Sequence, residues 1–248
     1  MNVSVCLAAY NGAKFIEIQL KSILQQLNID DEIIIVDDCS TDDTLNVINA
    51  INDPRIKIFL NKVNRGHVFS FGYAISLAIN KVIFTSDQDD IWVIGRIELM
   101  KNKLIASDAQ LITTNSSFID NNGYALNFDV EGVKRENSNK NFRNILDILR
   151  GKTNYYGCAM AFKSDFRKIV LPIPIYVESH DLWIAMAANI IKSNLHCDDI
   201  TLYRRVHGQN ASVVKRKLIL KLNSRLIFLK SIIALYKRKK YNKKYDCN

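Results

Sequence analysis

Val82-Ile83-Phe84-Thr85-Ser86-Asp87-Gln88-Asp89-Asp90-Ile91-Trp92 sets a short apolar, β-branched run directly ahead of three carboxylates. Residues 81–85 read as a strand buried on both faces, which delivers the acids at its carboxyl end. Three carboxylates in four residues repel one another and cost free energy unless positive charge sits among them. A hard divalent cation meets that need, because Mg²⁺ or Mn²⁺ takes oxygen from one or two carboxylates and fills its remaining positions with water and phosphate. A polar turn would explain isolated acids, but not three of them stacked behind an apolar strand and followed by Ile91-Trp92. Trp92 itself reads better as a core aromatic than as a site residue.

Upstream the pattern is regular. Val3–Ala8, Glu32–Val36 and Ile56–Leu60 read as strands. Helical spacing follows each: Phe15 to Leu27, Leu45 to Ile51 behind the N-cap chemistry of Ser40-Thr41-Asp42-Asp43, and Val68 to Ala78. Such alternation predicts an α/β fold with a parallel sheet of βαβ units. Ligands of these sheets bind at the carboxyl ends of the strands, where Asp37-Asp38 and Asp87-Gln88-Asp89 both fall. Downstream the sequence is less regular. A helix is expected over Arg96–Ala106, strands over Gln110–Thr114, Gly157–Phe162 and Asp199–Tyr203, and a helix over Asp181–Ile191. A turn is expected at Asn121-Asn122-Gly123, and the polar stretch 130–143 reads as a mobile loop.

Composition narrows the class. A chain of 248 residues with 48% hydrophobic and 24% charged residues is long enough for one large α/β domain and is not disordered in type. Its five cysteines are odd in number and include no Cys-x-x-Cys pair, which fits a reducing compartment better than a disulfide framework or a zinc site. The N-terminus has no charged region ahead of its apolar run, and no apolar stretch is long enough for a membrane span. A cytoplasmic location is therefore expected. The net charge of +9 is unevenly placed: residues 215–248 hold twelve Lys/Arg against one Asp, a net of +11, and the other 214 residues come to −2.

Five motifs in order resemble glycosyltransferase family 2 with the GT-A fold: Ala8-Ala9-Tyr10-Asn11-Gly12, Val36-Asp37-Asp38-Cys39-Ser40-Thr41-Asp42, Asn64-Arg65-Gly66, Ser86–Trp92 and His180-Asp181-Leu182-Trp183. The acidic motif, with Gln between two Asp and Asp-Ile-Trp after it, is similar to the bacterial rhamnosyltransferase-like, surface-polysaccharide branch. The resemblance implies a Rossmann-like, mostly parallel sheet flanked by helices. It spans a catalytic domain over 1–214, with a nucleotide-binding half (1–115) and an acceptor-binding half (116–214). It implies a nucleotide-sugar site of Ala8, Tyr10, Asn11, Asp38, Asn64, Gly66, Asp87 and Gln88. Asp38 would accept from a uracil or thymine base and Asp87 would meet the ribose. Asp89, with His207, would hold Mn²⁺ or Mg²⁺ at the diphosphate, and Asp181 would be the base of an inverting displacement. Each residue also has a structural reading: Asp37 and Asp38 as helix-capping acids, Asp181 as a helix N-cap, His207 as a packing residue. Where the family often has Glu before the catalytic Asp, this chain has His180, and a proton relay through it is one expectation. Arg204 and Arg205 could meet phosphate charge. His67 and His196 look incidental.

The last segment alternates apolar clusters with Lys and Arg at helical spacing, so 215–248 reads as a basic amphipathic helical tail. Three readings are open: a helix on an anionic membrane surface at the inner face of the plasma membrane, a helix packed on the catalytic body, or a nucleic-acid arm. The first fits a saccharide acceptor linked to lipid; no specific nucleic acid is expected, because the body is net −2. Two rival functions remain. A sugar nucleotidyltransferase would show a Gly-rich basic loop after the first strand, which Asn11-Gly12-Ala13-Lys14 serves poorly. A basic nucleic-acid-binding protein would carry its charge over the folded body.

Overall fold

The structure is a computed structural model that describes residues 1–128, 130–152, 155–207 and 218–245. Its first part is β1 (Val3–Ala9), α1 (Ile16–Leu24), β2 (Glu32–Asp37), α2 (Thr44–Ile51), β3 (Ile56–Leu60), α3 (His67–Leu77) and β4 (Val82–Ser86). These strands pair in parallel, as the alternation predicts, and the structure sets their order as β3-β2-β1-β4. Registers of Ala8 with Val36 and Leu7 with Ser86 level the carboxyl ends of β1, β2 and β4. Tyr10, Asp38 and Asp87 therefore leave the sheet along one edge.

The remainder is β5 (Ile91–Trp92), α4 (Arg96–Ile105), β6 (Leu111–Ile119), β7 (Ala125–Leu126), α5 (Asn141–Arg150), β8 (Met160–Lys163), α6 (Arg167–Val170), α7 (His180–Ile191), β9 (Asn194–Arg205) and α8 (Leu218–Tyr245). It extends the same sheet as β4-β8-β6-β9-β5, with β7 on β6. β8 is antiparallel to both β4 and β6, so the second half is mixed. The expected strands at 110–114 and 199–203 are pieces of longer ones, since β6 and β9 pair through a register shift between Thr113 and Ser116.

The stretch 130–143 is more ordered than its polarity suggests. Val133 is buried, its N–H and C=O are held by the Asn115 side-chain amide, and a 3₁₀ turn at Arg135–Asn137 leads into α5. α5 begins inside the stretch read as a loop, yet half of its ten residues are apolar at helical spacing (Phe142, Ile145, Leu146, Ile148, Leu149). It packs on α7: Asn144 Nδ2 donates to Asn189 Oδ1 at 2.9 Å, and Ile145 and Ile148 are buried. Tertiary packing rather than propensity makes this helix.

Period-two alternation along the strands feeds a core on each face of the sheet. Ile33 and Ile35 pack with Ile16, Leu20 and Trp92 under α1, while Ile34 and Val36 pack with Ala74 and Trp183 under α3 and α7. Trp92 is 2% exposed, the core aromatic it was expected to be.

α8 is helical, as the tail pattern predicts, and one of its faces is docked. Leu235 is fully buried, Arg238 donates to the carbonyls of Ile169, Val170 and Pro172, Lys239 donates to Ile190 O, and Ser224 donates to Glu178. Leu226, Leu229, Ile233 and Tyr236 form an exposed stripe elsewhere on the helix. The expected boundary at 214 and the tail residues 215–217 and 246–248 lie outside the described residues.

Candidate active site

The loop after β1 and the loop after β4 are tied together by one side chain. Tyr10 N–H donates to Gln88 Oε1 at 2.9 Å, and Gln88 Nε2 donates to Tyr10 O at 3.0 Å, so the amide pairs with Tyr10 as a neighbouring strand would. This close approach explains Gly12, where a Cβ would stand 2.3 Å from Gln88 Oε1. Asn11 takes φ of +48°, a conformation Asn tolerates, and its Oδ1 accepts from Thr41 N at 2.8 Å. Gln88 is thus placed as a brace for the expected pocket.

Asp37 and Asp38 divide their work. Asp37 caps its own turn, accepting from Ser40 N and Ser40 Oγ. Asp38, buried, accepts from Asn61 Nδ2 and Arg65 N through Oδ1 and from Gly66 N at 2.7 Å through Oδ2. A carboxylate offers about four acceptor positions, so Asp38 shapes the Asn64-Arg65-Gly66 loop and keeps acceptor capacity on Oδ2. Gly66 sits at φ +84°, where a side chain would be strained. Ala8, Tyr10, Asn11, Asp38, Asn64, Gly66, Asp87 and Gln88 all come to the same sheet edge.

The acidic loop faces the last strand. Asp89 Oδ2 lies 2.7 Å from His207 Nε2. Asp90 is buried; its Oδ1 accepts from Arg205 N at 3.0 Å, so it anchors the loop. Arg205 is also a brace, donating through Nε to Asp89 O and through Nη1 to Asp120 O and Asn121 O. Arg204 instead stands over the Tyr156 ring, 4.0 Å from its centroid, within electrostatic reach of Asp87 and Asp90. Burial, then the charge of Asp89, pushes the Asp87 carboxyl up to about 6. Burial, then Asp87 and Asp89, pushes Asp90 up to about 8.

Carboxylates this close disfavour one another's charge, a cost that a cation among them would relieve. A carboxylate and an imidazole at Asp89 and His207 suit Mn²⁺ or Mg²⁺, with water and phosphate completing the sphere. Asp87, Asp90 and the Cys158 thiol also converge, within 4.8 Å of one another. Burial first of all raises the Cys158 thiol well above its ordinary value, and a protonated, buried thiol is a poor partner for a hard cation.

Asp181 sits in the first turn of α7, behind the N-cap Ser179. Its Oδ1 accepts from Leu182 N at 2.7 Å and from the Ser179 hydroxyl. Asp181 and Asp87 interact electrostatically, which brings the expected base to the acidic loop. His180 turns inward instead. It stacks on Phe71 at 3.9 Å between centroids, with His67 edge-on at 5.8 Å, and burial pushes it down to about 4. Neither of its ring nitrogens has a hydrogen-bond partner among the described residues, so the structure shows no relay from Asp181 through His180. His196 is structural, held by the Tyr155 hydroxyl and Asn194.

Sequence reasoning missed the floor of this site. The small residues Gly157-Cys158-Ala159 let the chain pass under it: Gly157 O accepts from Thr85 Oγ1 at 2.6 Å, and a Cβ on Gly157 would stand 2.5 Å from His180 Nε2. The buried Arg96 holds Cys158 O from below. The strand expected over Gly157–Phe162 begins only at Met160, because Gly157–Ala159 form a 3₁₀ turn, and the run of small residues was the available signal. Phe15, whose ring lies 5.2 Å from that of His207, was read only as a helix residue.

Residues 4–170 match the sequence profile of Glycosyl transferase family 2. The chain belongs to that family. The chain is 28% identical over 221 residues to the UDP-Glc:alpha-D-GlcNAc-diphosphoundecaprenol beta-1,3-glucosyltransferase WfaP of Escherichia coli, covering 87% of this chain and 81% of that protein. It is 36% identical over 121 residues to the dTDP-rhamnosyl transferase RfbG of Shigella flexneri, covering 44% of this chain and 40% of that protein. Among solved structures, S. aureus TarS 1-349 in complex with UDP-GlcNAc superposes with a TM-score of 0.73 at 19% identity, covering 94% of this chain and 67% of that one. The mannosyltransferase PcManGT of Pyrobaculum calidifontis, in complex with GDP-Man and Mn²⁺, gives 0.62 at 17% identity, over 95% of this chain and 73% of that one. These likenesses bear out the GT-A-like fold.

Proposed function

We propose that this protein is a metal-dependent, inverting glycosyltransferase. It moves a sugar from a UDP- or dTDP-linked donor to a saccharide carried on lipid, in the building of bacterial surface polysaccharide. The observation that carries this reading is the Asp89–His207 pair beside Asp87 and within the range of Asp181, on the edge where β1, β2 and β4 present their carboxyl ends. WfaP and RfbG, named for a UDP-glucose donor with a lipid-diphosphate acceptor and for a dTDP-rhamnosyl donor, support the donor class and the acceptor class. Family membership favours a transferase over a sugar nucleotidyltransferase or a nucleic-acid-binding protein.

In this mechanism Asp38, Tyr10 and the 64–66 loop receive the nucleoside, and Asp87 meets the ribose. Asp89 and His207 would hold the cation, which neutralises charge on the departing nucleoside diphosphate. Asp181 takes the proton from the acceptor hydroxyl. The Ser179 hydroxyl and Leu182 N–H both donate to Oδ1, which orients the carboxylate with Oδ2 toward that proton. Opposite-face attack gives inversion.

α8 would also bring the enzyme to the cytoplasmic membrane face. Its exposed stripe of Leu226, Leu229, Ile233 and Tyr236 is bordered by exposed Lys230, Lys237 and Lys240. Each basic residue near an anionic surface adds about 1 kcal/mol. Incubating the protein with UDP-, dTDP- and GDP-sugars and Mn²⁺ tests the function. Release of nucleoside diphosphate from one of the first two supports it; pyrophosphate release from a nucleoside triphosphate and a sugar phosphate overturns it.

A further inference from the structure

Between α5 and α8 lies a groove of about 520 Å³ lined by three leucines and three cations: Leu146, Leu149, Leu229, Arg150, Lys152 and Arg225. Asp147 lies 4.0 Å from the Arg150 guanidinium and 3.7 Å from Arg143, so the lining keeps a positive excess. Arg225 reaches across the gap and donates to Arg150 O at 3.4 Å.

The groove lies at the same end of the helix layer as Asp181. Asn144, early in α5, bonds Asn189, late in α7, while Arg150, at the end of α5, bonds Arg225, whose neighbour Ser224 bonds Glu178 just ahead of α7. α5 therefore runs against α7 and ends near its start. α8 runs with α7, since Ser224 bonds Glu178 and the later Lys239 bonds Ile190 O. The end of α5 and the early part of α8 therefore both flank the N-terminus of α7, where Asp181 stands.

We propose that this groove binds the lipid-diphosphate portion of the acceptor, a deepening that rests on the transferase reading above. The ligand needs both characters the groove offers. The leucines take hydrocarbon out of water at roughly 25 cal/mol per Å², and two guanidiniums and an ammonium match a diphosphate, the guanidiniums bidentately. A free saccharide has neither character, and inorganic diphosphate has only the second. Leu229 belongs to both the groove and the exposed stripe of α8, so a lipid chain has a continuous apolar path from the groove to a bilayer. An occupant seated there presents its sugar toward Asp181.

The test is calorimetric binding of farnesyl diphosphate, below its micellar concentration, to the full chain with EDTA present, so that metal-dependent diphosphate binding at Asp89 and His207 does not contribute. The expected result is saturable binding that persists in Asp89→Ala. It weakens at least tenfold in Arg150→Ala/Arg225→Ala and in Leu229→Ser, and is at least tenfold weaker for pyrophosphate or farnesol. Leu229 is half exposed, so its substitution leaves the fold intact, checked by thermal melting. Binding that vanishes with EDTA, or that ignores both groove variants, overturns the proposal. No nucleotide sugar enters this assay, so absence of donor turnover would sink the transferase reading and leave this result standing.

Discussion

His207 Nε2 and Asp89 Oδ2 stand 2.7 Å apart although 118 residues separate them in the chain. The two are joined because β9 brings Arg205 to the acidic loop, where its backbone and side chain bind Asp90 and Asp89. If the pair holds a cation, Asp89→Ala abolishes Mn²⁺-dependent nucleotide binding and His207→Ala weakens Mn²⁺ affinity about tenfold or more, with the fold retained by circular dichroism. Manganese binding followed by electron paramagnetic resonance checks both.

The raised acids set a pH dependence. Asp87 and Asp90 hold protons in the folded chain at pH values where an unfolded Asp, near 3.9, has lost them. Below about pH 6.5 the buried His180 and His196 do the reverse, since burial keeps them neutral where an unfolded His is charged, so the two effects oppose each other there. Above it Asp90 alone still holds its extra proton, and stability falls as pH rises from about 6.5 to 8. In EDTA the melting temperature is expected to drop from about pH 6.5 to pH 8. Mn²⁺ competes with those protons, so its affinity and its stabilising effect rise over the same range. A metal-free melting temperature that climbs with pH over that range would contradict this assignment.

Asp181→Asn keeps the hydrogen bonds that an Oδ1 acceptor receives but removes the base. Donor affinity should hold while kcat falls by about 10² or more. Collapse of donor affinity with unchanged turnover would move Asp181 to the donor site.

Gln88→Leu deletes both bonds to the Tyr10 backbone, each worth about 0.5–1.5 kcal/mol net. The donor KM should rise severalfold with little change in kcat, because Gln88 braces the nucleotide pocket. A kcat loss at unchanged KM would give the amide a direct part in the reaction.

α8 is bound to the body through Leu235. Leu235→Ala should cost about 2–5 kcal/mol of stability, as buried Leu to Ala changes do, measured by denaturant unfolding. Leu226→Ser and Ile233→Ser, on the exposed stripe, should leave stability unchanged and weaken binding to anionic vesicles.

Much of this was legible in the sequence because local and global preferences agree in the first ninety residues. Buried strand runs end in Asp37-Asp38 and Ser86-Asp87, and Gly66 marks the turn ahead of α3. The second half was less legible. α5 was passed over because its first turn, Asn141-Phe142-Arg143, continues the polar stretch read as a loop, although Ile145, Leu146, Ile148 and Leu149 carry a helical pattern. The strand piece at 110–114 is cut short by partly exposed polar positions such as Ser116 and Ser117. The Gln88–Tyr10 pairing and the Gly157–His180 contact join residues 78 and 23 positions apart, where no local pattern extends. The tail's basic, apolar alternation fits a packed face and an exposed face equally, and only Leu235, Arg238 and Lys239 show which side is docked.

The central claim is metal-dependent transfer at Asp89 and His207, and a Mn²⁺ titration of nucleoside diphosphate release tests it most directly. Wild-type protein, given the UDP- or dTDP-sugar it turns over and a lipid-linked saccharide, should show saturable activation by Mn²⁺. That activity should vanish in EDTA and in Asp89→Ala. Turnover that is undiminished in EDTA, or that survives Asp89→Ala, would contradict the account.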